Sequence, residues 1–127
     1  MVNFLFAYGT LKRNYNNHFF LKDCNFIGIG YTIKKFRMFN KGYPYVVFDK
    51  NGYLIKGEVY EIKDEKIWKK IDDLEDYPDE YDKTIIDIRL DDKIVKAFLY
   101  YYKQIKEGIE LKNVKYNCSL KIYYLEY

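Results

Sequence analysis

Only one stretch of this chain carries apolar residues at helical spacing over several turns: Asp64-Glu65-Lys66-Ile67-Trp68-Lys69-Lys70-Ile71-Asp72-Asp73-Leu74-Glu75. The remaining apolar runs are short and rich in aromatic and β-branched residues, which favour strands. One amphipathic helix among many strands restricts the fold to an α+β arrangement in which a mostly antiparallel or mixed sheet buries its own faces and the helix covers it. Wound at about 100° per residue, Ile67 lies at roughly 0°, Trp68 at 100°, Ile71 at 40°, Leu74 at −20° and Glu75 at 80°, all on one stripe. Asp73 and Asp76 fall at roughly 240° and 180° on the opposite side, with Asp72 near the edge at about 140°. A carboxylate therefore stands where an apolar side chain is expected. Burial without a partner disfavours its charged form, and the raised pKa that results suits a general base near neutral pH. The competing reading is a helix that frays toward Pro78, so that Glu75 swings out or pairs with a lysine.

The chain opens with Asn3-Phe4-Leu5-Phe6-Ala7, a continuous apolar run consistent with a short strand buried on both faces. Tyr8-Gly9-Thr10-Leu11 ends it, and Gly9 allows a turn or the close approach of a ligand. A polar stretch leads to a short helix expected near His18 to Lys22. Amides in such a strand-to-helix loop are free to face an anion, but the three glycines of a dinucleotide fingerprint are absent. Phe26 to Phe39 reads as one long strand or two broken ones, with Gly28 and Gly30 suggesting a bulge or a barrel corner. Gly42-Tyr43-Pro44-Tyr45 turns the chain into Val46-Val47-Phe48. Asp49-Lys50-Asn51-Gly52 reads as a hairpin turn with positive φ at Asn-Gly, followed by a strand from Tyr53 to Ile62 in which Gly57 leaves room for a ligand or a crossing strand. After the helix, Tyr81 to Leu90 alternates, with Thr84, Ile86, Ile88 and Leu90 on one face, and Asp91-Asp92 turns it into a second strand ending near Tyr102. Beyond Lys103 the pattern weakens, and periodicity does not decide whether Leu120 to Tyr127 is a strand or a packed tail.

A length of 127 residues without a Pro/Gly/Ser-rich linker predicts a single domain over 1–127, with a core at about 3–102 and a C-terminal extension of undetermined structure at 103–127. The net charge of +3 arises from 22 basic residues interleaved with 19 acidic ones, and no basic run exceeds two. That pattern is a solvated mixed-sign surface and argues against a nucleic-acid partner. Cys24 and Cys118 form no CxxC pair and stand beside a single histidine, His18, so neither a metal site nor a cofactor is expected. They read as free thiols of a reducing compartment. The apolar run Phe4 to Ala7 is too short for a signal peptide or a membrane span, so the expected location is cytoplasmic, without a membrane partner.

Five features, in order and at consistent spacing, resemble the gamma-glutamylcyclotransferase-like family, including its gamma-glutamylamine cyclotransferase and AIG2-like branches. They are Phe6-Ala7-Tyr8-Gly9-Thr10-Leu11; Gly42-Tyr43-Pro44; Gly57-Glu58-Val59-Tyr60; Ile71-Asp72-Asp73-Leu74-Glu75-Asp76-Tyr77-Pro78 followed by Tyr81; and Ala97-Phe98-Leu99-Tyr100. The resemblance spans roughly residues 3 to 102. It implies a small, mostly antiparallel or mixed β-barrel with a short N-terminal helix and one amphipathic helix. It also implies that Tyr8, Gly9, Thr10 and Leu11 bind substrate through backbone amides, that Glu75 is the catalytic base, and that Tyr81 and Tyr100 lie near the pocket. Asp76 departs from the pattern, standing where a glycine is common, and the chain after Tyr102 follows no family ending.

The implied activity is cyclisation of a gamma-glutamyl group to 5-oxoproline with release of an amine or amino acid, by a metal-independent enzyme acting on a small-molecule gamma-glutamyl substrate. Two other classes remain open from the residues: an AIG2-like protein that binds a small metabolite without turning it over, and an aromatic-rich barrel that stacks single-stranded nucleic acid. Neither the leaving amine nor the oligomeric state follows from the residues. Glu58, beside Lys56 on a strand, reads as a cross-strand ion-pair partner. His18 reads as a surface or packing residue. Trp68 reads as core, and it is the candidate for the apolar wall that desolvates Glu75.

Overall fold

The computed structural model describes residues 2–127. In chain order the elements are β1 (Phe4–Ala7), a 3₁₀ turn (His18–Leu21), β2 (Asn25–Thr32), β3 (Phe36–Asn40), β4 (Pro44–Phe48), β5 (Leu54–Glu61), α1 (Glu65–Leu74), β6 (Asp82–Leu90), β7 (Lys93–Tyr101), β8 (Ile109–Glu110), β9 (Lys115–Asn117) and β10 (Ile122–Leu125). Five strands, in the order β1-β7-β6-β2-β5, close into a mixed barrel because β5 pairs back onto β1. Phe4 to Ala7 run antiparallel to Glu61 to Glu58, while Leu5 sits opposite Phe98 in the parallel pair among these five strands, β1 with β7. Closure leaves no free edge along these strands, which removes the usual route to strand-to-strand association.

The apolar run of β1 is what the closure needs, since both of its faces are covered. Phe6 joins Val59, Ile88, Ala97 and Leu99 in the cluster that fills the barrel, and Leu5 and Ala7 face the other way, into a cluster with Tyr60, Ile62 and Ile71. Gly57 lies at this seam: a Cβ there would come within 2.7 Å of both the Ala7 carbonyl oxygen and the Phe6 ring, so its missing side chain serves a crossing strand.

The helix α1 covers the outer cluster. It starts at Asp64, whose carboxylate accepts a hydrogen bond from the Lys66 amide at 2.8 Å, a cap worth about 1 kcal/mol. Ile71, at 0% exposure, anchors its apolar stripe, a burial worth roughly 1.5–3 kcal/mol. The helix ends at Leu74 because Asp76 adopts φ of 51°, the left-handed conformation that terminates helices and that glycine adopts without a steric penalty. That is the position where a glycine is common in the family pattern.

Several expectations are refined here. Phe26 to Phe39 resolves into two strands, β2 and β3, with a register shift between Phe26 and Gly28. The helix near His18 is a single 3₁₀ turn. The Asp49 to Gly52 turn exists, with the Gly52 amide donating to the Asp49 carbonyl at 2.9 Å, but it is not a positive-φ hairpin. The strands on either side belong to different sheets: β4 pairs with β3 in a three-stranded sheet completed by β8, whereas β5 enters the barrel. Gly52 is required for space, because a Cβ would lie 2.1 Å from the Phe36 carbonyl oxygen, where Tyr53 bridges to β3. At the C-terminal end β10 is a strand, pairing parallel to Leu54 and Ile55 and antiparallel to β9.

Candidate active site

Where β1 runs out, the chain turns over the end of the barrel and forms one wall of a cavity of about 350 Å³. The turn is held from below: the Lys12 amide donates to the Gly9 carbonyl at 3.1 Å, the Asn17 amide to the Thr10 carbonyl at 3.1 Å, and the Asn17 side-chain amide to Thr10 Oγ1 at 2.8 Å. His18 Nδ1 lies 2.9 Å from the Leu11 carbonyl oxygen and its ring packs against Tyr60, which makes it a packing residue. These contacts use the carbonyls of the loop. The amides of Gly9, Thr10 and Leu11 have no hydrogen-bond acceptor among the described residues. A row of unpaired amides at a loop of this kind is suited to an anion. Gly9 does not have a positive φ; a Cβ there would come within 2.6 Å of Pro44 Cγ, so glycine admits the proline ring that forms the neighbouring wall.

The opposite wall is set by the end of α1. Glu75 is the residue that follows the last helical turn, its amide still bonded to the Ile71 carbonyl at 2.9 Å, and its side chain turns into the cavity while Asp73 and Asp76 face solvent. No hydrogen bond or ion pair reaches its carboxylate from the described residues. Burial, and after it the negative charge of Glu80, push its pKa from 4.5 up to about 7. The carboxyl is thus poised between its two forms at neutral pH.

Tyrosines make up much of the remaining surface. The Tyr8 phenol donates to the Tyr100 carbonyl at 2.7 Å, and the Tyr81 phenol to the Pro44 carbonyl at 2.6 Å. Tyr100 donates to Asp72 Oδ1, which Lys83 also binds at 2.9 Å. None of the three phenols donates to Glu75. Burial is the first cause that pushes each of them well above the ordinary tyrosine range, so all three are neutral donors. Tyr8, Gly9, Thr10, Leu11, Glu75, Tyr81 and Tyr100 all line this one cavity, although more than sixty residues separate the loop from the helix end.

Other residues stand differently from their sequence reading. Trp68 does not line the cavity; its indole donates to the Ile62 carbonyl at 3.1 Å and its ring meets Phe98 edge-on, so the wall around Glu75 is made by tyrosines and Leu74. Glu58 is in an ion pair, but with Arg13 of the loop and not across the sheet, and it also accepts from the Arg13 amide at 2.9 Å and from Tyr60. Sequence reasoning missed Glu80 and Tyr43, which also line the cavity. Tyr43 sits inside the Gly42-Tyr43-Pro44 motif, a usable signal. Glu80 lies in an irregular acidic stretch where no periodicity singles it out. Among the described residues, no group of three or more His, Cys, Asp or Glu side chains could hold a metal ion, both cysteines are free, and no helix is long and apolar enough to cross a membrane.

Comparison with known proteins gives consistent results. The family described as "Gamma-glutamyl cyclotransferase, AIG2-like" matches residues 5–118. A protein of Methanocaldococcus jannaschii with the provisional name gamma-glutamylcyclotransferase is 42% identical over 105 residues, covering 81% of this chain and 87% of the relative. The mouse gamma-glutamylaminecyclotransferase is 33% identical over 95 residues, 68% of this chain and 63% of the relative. The crystal structure of an AIG2-like protein from mouse superposes with a TM-score of 0.72 at 29% identity, over 79% of this chain and 76% of that one.

Proposed function

Since the chain belongs to the AIG2-like gamma-glutamyl cyclotransferase family, we propose that it cyclises the gamma-glutamyl group of a small-molecule substrate to 5-oxoproline, releasing an amine or amino acid, with Glu75 as general acid and base. In this scheme the substrate α-carboxylate rests on the amides of Gly9 to Leu11, and the α-ammonium lies at Glu75. The carboxylate takes one proton from the ammonium. The freed amine attacks its own γ-carbonyl carbon and a new N–C bond closes a five-membered ring; the original amide C–N bond breaks as the departing amine takes up the proton from Glu75, and the second hydrogen of the ring nitrogen then passes through the Glu75 carboxylate to the released amine, leaving the lactam N–H and an ammonium.

Nucleophile and electrophile are tethered in one molecule, so the protein's main task is to hold the folded-back conformer and exclude unproductive ones. Tyr8, Tyr81 and Tyr100 are anchored by their hydroxyls, which makes a rigid wall for that purpose. An alternative use of the same amides is to stabilise negative charge on the carbonyl oxygen as the amine adds. The observation that carries this reading is a carboxyl with a pKa of about 7 and no protein partner, in the same cavity as three unpaired amides.

The test is incubation with a panel of gamma-glutamyl compounds and detection of 5-oxoproline. Glu75→Gln is nearly isosteric; it is expected to fold and bind while turnover falls on the order of 10²–10⁴-fold. Near-normal turnover by that variant would remove Glu75 from the role. Tight binding of the panel by the unaltered protein with no 5-oxoproline formed would make it an AIG2-like binding protein.

A further inference from the structure

The amides of Gly9, Thr10 and Leu11 can face a ligand together only if the loop that carries them is held from outside the cavity. The amides that follow do part of this: that of Lys12 turns back to the Gly9 carbonyl, and that of Arg13 donates to Glu58 Oε1 at 2.9 Å. Alternation along β5 puts Val59 inside the barrel and Glu58, with Tyr60, on its outer face. Ala7, the last residue of β1, stands opposite Glu58 in the barrel register. Glu58 therefore meets the loop at both ends: its backbone lies beside the residue where the loop begins, and its side chain takes the amide where the loop returns.

The carboxylate is itself fixed. Tyr60, 2% exposed, donates to the same Oε1 at 2.8 Å, and burial first and this bond second push its phenol above the ordinary tyrosine range, so it stays a neutral donor. The Lys12 side chain, 6% exposed, pins the same segment to the Tyr127 carbonyl at 2.6 Å. Glu58, Lys12 and Arg13 do not line the cavity, so whatever they contribute there passes through the loop. The ion pair between Glu58 and the Arg13 guanidinium is the weaker link, with an approach of 3.7 Å and an Arg13 side chain that is 53% exposed. A half-solvated pair of this kind contributes little, whereas a carboxylate oxygen bonded to a backbone amide fixes the chain.

Resting on the cyclotransferase reading for the use of the loop, we propose that Glu58 is a positioning residue: by accepting the Arg13 amide it holds the Gly9 to Leu11 amides in the geometry that receives the substrate α-carboxylate. It acts through reach and not through charge. A row of amides ordered in advance binds its anion without a further loss of loop freedom, and a displacement of about 1 Å in a positioning element is enough to cost on the order of 10²-fold.

Two variants separate length from charge. Glu58→Asp keeps a carboxylate beside Arg13 but is one methylene shorter and withdraws from the Arg13 amide; Glu58→Gln keeps the reach and an acceptor oxygen and removes the charge. With a gamma-glutamyl substrate, Glu58→Asp is expected to raise KM by about tenfold with kcat within about threefold, the pattern of lost uniform binding. Glu58→Gln, and Arg13→Ala, which retains its backbone amide, stay within about threefold of the parent in both parameters. Amide NMR of the unliganded proteins reads the loop without any substrate: Glu58→Asp is expected to shift the Gly9 to Leu11 resonances and to speed exchange of the Arg13 amide by about tenfold, and Glu58→Gln to leave both near the parent. Glu58→Ala, expected to match Glu58→Asp, is the independent check if the latter fails to fold. A loss in Glu58→Gln as large as in Glu58→Asp, or the same loss in Arg13→Ala, would make the contact an ion pair and overturn the proposal. So would a parental KM in Glu58→Asp, or a raised KM with unmoved Gly9 to Leu11 resonances. Loop resonances that move in Glu58→Asp and not in Glu58→Gln, with no 5-oxoproline from the parent protein on any gamma-glutamyl compound, support the clamp while refuting the cyclotransferase reading.

Discussion

Replacing Glu75 by Gln tests the electrostatics of the cavity independently of any substrate. The folded protein holds the Glu75 proton with a pKa of about 7, against 4.5 when the carboxyl is free of the fold. At about 1.4 kcal/mol per pH unit, ionised Glu75 costs the native state on the order of 3 kcal/mol. The sign follows from proton binding. Between pH 4.5 and 7 the folded state binds more protons at this site than the unfolded one, so the contribution of Glu75 to stability declines as pH rises. The penalty is absent below about pH 4.5 and complete above about pH 8. Glu80, held at about 2, does not titrate in this window. Urea denaturation of both proteins at pH 5, 6, 7 and 8 reads the effect as a difference, in which titrations common to the two cancel. The Gln variant is expected to gain relative to the parent by about 2–3 kcal/mol between pH 5 and pH 8, most of it below pH 7.5. A difference independent of pH would refute the buried, unpaired carboxylate on which the proposed mechanism depends.

The pH dependence of turnover follows from the same group: because the base must be ionised, activity on a gamma-glutamyl substrate should fall as pH drops through about 7, and a profile flat from pH 5 to 8 would exclude Glu75 as the base. Gly9→Val places a branched side chain where a single Cβ already comes within 2.6 Å of Pro44, so stability in urea should drop by about 1–3 kcal/mol together with substrate affinity; unchanged stability would contradict the packing of Gly9 on Pro44. Asp64→Ala removes the cap of α1 and should cost about 1 kcal/mol in urea denaturation while leaving the pH profile in place, whereas a shifted profile would mean that the helix start influences Glu75.

Short-range regularities carried most of what the sequence determined by itself. A period of 3.6 places Ile67, Ile71, Leu74 and Glu75 on one stripe whatever the surroundings, so the inward glutamate was legible before any fold was known. Alternation in Thr84 to Leu90 and the two-residue turn at Asp91-Asp92 likewise gave β6, β7 and their pairing. The closure of the barrel was decided by tertiary structure, because β1 takes as neighbours β5 and β7, which are remote in sequence, and no local pattern encodes that choice. The same holds for Asn51-Gly52, whose local signal for a hairpin is overridden when β4 and β5 are drawn into different sheets and Gly52 is needed for space against Phe36. It holds for the last strands as well, since β10, paired locally with β9, is tied to the barrel by its parallel pairing with the remote β5. Within the cavity, Glu75 could be found from its own helix. Glu80 could not, because its orientation depends on Lys41 and Tyr43 from the turn between β3 and β4 and on Tyr102 after β7, two other segments that meet it only once the chain has folded.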